Sequence, residues 1–237
     1  MRFQFASRTL ARLGYEVRRS TARSGLDVDR ERSGLPVSAL HSIQAATMQY
    51  VYKGVPCVKD PFDLALYTKL LYEQQPGTIV EIGSAAGGSA LWMADQLRAF
   101  GLPARVISVD ISPPSGVEDP QVSFLAGDIH DLGATELPAL LADSPRPFLV
   151  IEDGPHTYDG CLAALRFFGP LLRTGEYLIV EDGCLNDMGY IEYDNGPNRA
   201  IASFLNERPG EYVIDYGYCD YYGPNFTWNT NGYLRKC

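Results

Sequence analysis

The run TIVEIGSAAGGSALWMADQLRAF, residues 78–100, decides the fold. TIVEIG (78–83) is nearly continuous apolar sequence rich in β-branched residues, which reads as a strand buried on both faces. SALWMADQLRAF (89–100) spaces its apolar residues as an amphipathic helix does. Between them lies a turn of glycine and small residues. A buried strand running straight into a helix is the building unit of a parallel sheet.

The same alternation continues downstream. RVISVD (105–110), VSFLAGD (122–128), FLVIED (148–153) and EYLIVED (176–182) read as strands, with helices near 134–142 and at CLAALRFFGPLL (161–172). Upstream, helices are predicted at 39–52 and 61–74, the second started by Asp60-Pro61. The tail changes rhythm: a helix at 198–206, a strand EYVIDY (211–216), then a Tyr-rich stretch closing on TWNTNGYLR, with a turn at Asn231-Gly232. The expected architecture is α/β, a doubly wound, mostly parallel sheet of the Rossmann-like type with a helical N-terminal arm. Residues 46–237 form the domain, and residues 1–45 the arm and its linker.

Residues 1–35 carry eight Arg against four acids, a local +4 within a chain of net charge −9. Phe3, Phe5, Leu10, Leu13 and Val17 recur there at helical spacing, and Ser20 to Pro36 reads as a linker. Such an arm caps its own domain or packs on a neighbouring subunit, so a homo-oligomer is expected. The acidic balance argues against nucleic acid or an anionic membrane as partner. No apolar run approaches the ~20 residues that cross a bilayer, and the N-terminus lacks a signal-peptide segment. Five scattered cysteines without a C-x-x-C pair suit reduced thiols in a cytoplasmic protein.

The chemistry concentrates at strand ends. EIGSAAGGS (81–89) places a glycine-rich turn after the first strand, where doubly wound sheets bind nucleotide-like ligands. Ala85 stands where a dinucleotide fingerprint wants its second glycine, so the match to pyrophosphate binding is poor. Glu81, Gly83 and Gly87 followed by Ser89 resemble instead the first motif of class I S-adenosylmethionine (SAM) methyltransferases. Asp110 ends the next strand, 27 residues beyond Gly83, placed to meet ribose hydroxyls. Asp128 follows the third, where such enzymes hold the adenine.

Two further strands end on Glu-Asp-Gly: Glu152-Asp153-Gly154 and Glu181-Asp182-Gly183. If they are neighbours, Asp153, Glu181 and Asp182 offer hard oxygens to Mg²⁺. Side-chain alternation turns Glu152 away, and Glu181 and Asp182 converge only if their strand has ended. His156, in a Gly/Pro turn three residues after Asp153, is read as a general base, because an unperturbed imidazole titrates near about pH 6.5. Capping of strand ends by acids is the structural alternative.

IEDGPHTYDG and FGPLLRTGEYLIVEDG, with G-x-P-x-x-K-D-P-F-D at 54–63, IVEIGSAAGGSALWMAD at 79–95 and the terminal TWNTNGYLR, resemble one family. It includes cephalosporin hydroxylase and the Mg²⁺-dependent O-methyltransferases of macrolide and rhamnosyl sugars, and the likeness spans residues 45–237. It implies SAM and Mg²⁺ as cofactors, with Asp153, Glu181 and Asp182 as ligands and His156 as base. Gly83, Ser84, Ser89, Asp110 and Asp128 would line SAM, and the acceptor would be a hydroxylated, glycosylated natural product, as in antibiotic biosynthesis. From its length, the chain is expected to lack the large N-terminal domain of the bigger macrolide enzymes. A cephalosporin-type hydroxylation or methoxylation component, or a SAM-binding accessory subunit, are the alternatives. Acceptor contacts are expected from the 50–60, 184–196 and 216–223 segments, whose tyrosines could equally serve packing.

Overall fold

The computed structural model describes residues 30–237. The spacing of Phe3 to Val17 lies outside the described residues. Helix α1 (Val37–Thr47) leads into a hairpin, β1 (Val51–Tyr52) and β2 (Val55–Pro56), and then α2 (Pro61–Gln74). The βα alternation follows: β3 (Thr78–Ile82), α3 (Gly88–Ala99), β4 (Arg105–Asp110) and β5 (Val122–Ala126). After a 3₁₀ turn at Ile129–Ala134 come α4 (Leu137–Ala142), β6 (Phe148–Glu152), α5 (Tyr158–Phe168) and β7 (Tyr177–Val180). The chain ends with α6 (Gly196–Glu207), β8 (Tyr212–Ile214), α7 (Tyr216–Cys219) and β9 (Tyr233–Lys236).

Seven strands form one sheet in the order β5-β4-β3-β6-β7-β9-β8. β5 through β7 run parallel, and β9 inserts antiparallel to both β7 and β8. The strand order reverses between β3 and β6, the switch point where such sheets bind ligands. Every residue of β3, β6 and β7 is buried, as a sheet covered on both faces requires. Alternation sorts them: Val80, Val150 and Leu178 face Leu165, Phe168 and Phe204, whereas Ile79, Leu149 and Ile179 face Leu66, Leu70 and Leu97. Each of these side chains contributes roughly 1.5–3 kcal/mol on burial.

Several boundaries move for local reasons. The helix expected over 39–52 stops at Thr47, because Lys53 (φ 51°) and Gly54 (φ 84°) form a hairpin turn with both residues left-handed. The one expected over 161–172 starts earlier, with the Thr157 hydroxyl accepting from Gly160 N at 3.3 Å, and ends ahead of Gly169-Pro170. Strand 211–216 shrinks to Tyr212–Ile214 because Asp215 caps α7. Asp60-Pro61 does start α2: Asp60 Oδ1 accepts from Phe62 N at 2.8 Å and Asp63 N at 3.1 Å.

The expected division at residue 45/46 does not divide the packing. It falls inside α1, and Leu35 and Leu40 share a core with Cys184, Leu185, Met188 and Trp228. Residues 30–34, read as linker, are tied down: Arg30 Nη1 donates to Asp220 at 3.0 Å, Ser33 N to Asp187 Oδ2 at 2.7 Å, and Gly34 N to Asn225 O at 3.0 Å. No helix among the described residues is long and apolar enough to cross a membrane.

Candidate active site

The carboxyl ends of β3, β4, β5, β6 and β7 meet along one sheet edge around a cavity of about 610 Å³, a size suited to a nucleoside-sized ligand. Gly83, Asp110, Asp128, Asp153, His156, Glu181 and Asp182 all line it. Gly83 sits at φ +99°, and a Cβ there would fall 2.0 Å from the backbone oxygen of Asp153. Only glycine lets the first loop lie against the β6 end.

Glu81, Ser84, Gly87 and Ser89 stand behind the wall rather than on it. Glu81 is fully buried and accepts from Ser108 Oγ at 2.6 Å, and Ser108 Oγ lies 2.7 Å from Ser84 Oγ. Burial pushes the Glu81 carboxyl above its ordinary value. Asp110 Oδ2 accepts from Ser84 N at 2.9 Å and Ala85 N at 3.1 Å, bracing the loop while its carboxylate faces the cavity. Asp128 caps the following 3₁₀ turn by accepting from His130 N at 2.9 Å.

β6 and β7 are neighbours, and Glu181 N donates to Glu152 O at 2.9 Å. β7 ends at Val180, so Glu181 and Asp182 lie beyond the strand. Asp182 adopts φ +60° and His156 φ +55°, both unusual for residues bearing a Cβ. Backbone strain of this kind, of order 1–3 kcal/mol per residue, gathers at functional sites. The turn after Asp182 passes close to the C-terminal segment, where a Cβ on Gly183 would lie 2.3 Å from Thr230 Oγ1. Asp153, His156 and Asp182 offer one donor atom each within 4.8 Å of one another. His156 Nε2 faces Asp182 Oδ2 at 3.2 Å, and its ring meets Tyr193 edge-on at 5.8 Å. Glu152, as alternation predicts, points away; it is fully buried and accepts from Gly154 N at 3.1 Å.

Glu181 does not belong to that group of three. Its Oε1 accepts from Tyr67 OH at 2.5 Å and from Lys59 Nζ at 2.7 Å, and the same ammonium donates to Asp153 Oδ2. Burial alone would push the Lys59 ammonium down, but Asp153 and Glu181 hold it well above its ordinary value. One ammonium cannot balance Asp153, Glu181 and Asp182 together. Burial and the neighbouring Asp182 raise Asp153 to about 7, even against the pull of Lys59.

Lys59 is the site residue that sequence reading missed. It sits in the K-D-P-F-D segment, 94 residues from Asp153 and 122 from Glu181, and nothing in its neighbourhood marks it as buried. Asp63 of the same segment accepts from Thr227 Oγ1 at 2.5 Å, Trp228 N at 3.0 Å and Tyr233 OH at 2.9 Å. That joins it to TWNTNGYLR behind β7. Of the segments expected to meet an acceptor, Val58, Lys59 and Asp60 line the cavity, together with Gln44 and Thr47 of α1, whereas no residue of 184–196 or 216–223 does. Tyr222 packs on Phe62 instead, ring centres 5.5 Å apart.

Residues 44–237 match the family described as rhamnosyl O-methyltransferase/CmcI. The rhamnosyl O-methyltransferase of Mycobacterium leprae (strain TN) is 33% identical over 190 residues, covering 78% of this chain and 82% of that protein. That of Mycobacterium tuberculosis (strain ATCC 25618 / H37Rv) is 32% identical over 191 residues, covering 78% and 77%. Among solved structures, CmcI with Mg and SAM superposes with a TM-score of 0.63 at 26% identity, covering 80% of this chain and 77% of the other. The strand-end site, the matched span and these relatives agree: the chain belongs to the rhamnosyl O-methyltransferase/CmcI family and is an O-methyltransferase.

Proposed function

We propose that this chain transfers the methyl group of SAM to a hydroxyl of a glycosylated small molecule, with Mg²⁺ held by Asp153, Glu181 and Asp182 and His156 as general base. The observation that carries this reading is the meeting of Asp153, His156 and Asp182 within 4.8 Å, beside the Gly83 loop. The donor set suits Mg²⁺: three hard carboxyl groups at adjacent strand ends, with Lys59 the one ammonium bridging two of them. The cavity suits SAM: the loop approaches closely at Gly83, and Asp110 and Asp128 present carboxylates to hydroxyl and amine groups. The rhamnosyl name of the relatives points to a sugar hydroxyl.

When bound, SAM supplies an electrophilic sulfonium methyl, and Mg²⁺ supplies charge that favours a deprotonated hydroxyl. The chain's own residues do the rest. Asp153 and Asp182 fix one side of the acceptor position, and the His156 imidazole beside them takes the hydroxyl proton as the oxygen accepts the methyl and S-adenosylhomocysteine leaves. Buried Trp228 on the cavity wall helps to align donor with acceptor, which removes entropy from the barrier. The test is incubation with SAM, Mg²⁺ and a panel of glycosylated natural products. Release of S-adenosylhomocysteine that stops in EDTA is expected. SAM binding with no turnover on any acceptor would favour the accessory-subunit role.

A further inference from the structure

We propose that Lys59 competes with the divalent cation for Asp153 and Glu181, and so sets how tightly that cation is held. The inference rests on the Mg²⁺ reading above. The Lys59 side chain is only 3% exposed, and its ammonium bridges the two carboxylates that end β6 and β7. It reaches them from the loop just before α2, where Lys59 N donates to Cys57 O at 3.0 Å and Asp60 caps the helix. The stem is therefore anchored at both ends of its loop, and the ammonium is aimed at the sheet edge by the fold.

Asp153 belongs at once to the Lys59 bridge and to the Asp153–His156–Asp182 group. A divalent ion on Asp153 and an ammonium on Asp153 are like charges sharing one carboxylate in a buried setting, where repulsion is poorly screened. Glu181 Oε1 is already taken by Lys59 and Tyr67 together. To hold a cation, Glu181 must give up the ammonium. Lys59 is thus a positioning residue: it keeps Asp153 and Glu181 side by side and weakens the ion they hold. A weaker hold leaves the ion exchangeable.

Lys59→Gln removes the charge and keeps an amide that can still donate. Calorimetric titration with Mg²⁺ in the absence of SAM should show binding at least about tenfold tighter than wild type. The ion-free variant should melt lower than wild type, with a larger rise on adding Mg²⁺. A purely structural lysine would give the opposite, weaker binding along with the lower melting temperature. Unchanged or weaker Mg²⁺ binding in Lys59→Gln overturns the proposal. If wild type binds no Mg²⁺ and Lys59→Gln does, the competition stands; if neither binds, both this inference and the metal reading fall. Should the variant not fold, a crystal structure of wild type with Mn²⁺ decides. Lys59 Nζ is expected out of hydrogen-bond reach of Glu181, and Nζ still bridging both carboxylates with the ion on them would overturn it.

Discussion

The chain ends two neighbouring strands on the same three residues, Glu-Asp-Gly, and uses them differently. The sheet register explains why. Glu152 is the last residue of β6 and pairs with Val180, the last of β7. Glu181 therefore lies one step further along than Glu152, level with Asp153. The two triplets look equivalent in sequence but are offset by one residue in space, and a one-residue offset turns a side chain to the other face. Glu152 is directed into the packing, while Asp153 and Glu181 stand side by side under Lys59. Identical tripeptides acquire opposite roles from where each strand stops.

The harshest way to break this comparison is Asp153→Ala. It removes the residue that belongs to both the Lys59 bridge and the group facing His156. Methyl transfer should fall by at least about 10³-fold, with Mg²⁺ binding lost in calorimetry. Wild-type turnover of that variant in EDTA would dissolve the proposed site. Next is His156→Ala, for which a fall of about 10²-fold in kcat is expected, the range of a lost general base. Mg²⁺ affinity should stay within about threefold of wild type. Loss of the ion together with the rate would make His156 a ligand instead. Glu181→Gln should be milder, weakening Mg²⁺ binding by about tenfold, because Lys59 and Tyr67 still hold that side chain in place.

The sheet was readable from the chain because its strands are covered on both faces and so nearly continuous in apolar residues. The asymmetry of the two Glu-Asp ends was partly readable too: alternation alone turns Glu152 away, and Gly183 signals a strand that has ended. What could not be read was the one-residue register, which depends on how β6 and β7 slide against each other. Lys59 was equally hidden. Its burial follows from the path of the loop between β2 and α2, and lysine in a sequence reads as surface by default. The meeting of Asp63 with Thr227, Trp228 and Tyr233 had both partners inside conspicuous segments. Yet nothing local to either segment places β9 antiparallel beside β7.

The mildest change sharpens the comparison most, because it asks whether Glu152 stands outside the chemistry. Glu152→Gln keeps an oxygen to accept from Gly154 N and should leave kcat within about threefold of wild type. A tenfold loss would move Glu152 into the site and end the contrast with Glu181. Its signature belongs in stability instead. Burial raises the folded-state value of this carboxyl above its ordinary 4.5. A carboxyl raised on folding contributes stability that is full below the unfolded value and is lost as pH rises through the folded one. Glutamine does not ionise and escapes that loss. The Tm difference, variant minus wild type, should therefore grow more positive as pH rises above the ordinary carboxyl range. Parallel Tm curves over that rise would mean that the Glu152 carboxyl feels its burial no more than a surface acid does, and the offset between the two strand ends would lose its energetic meaning.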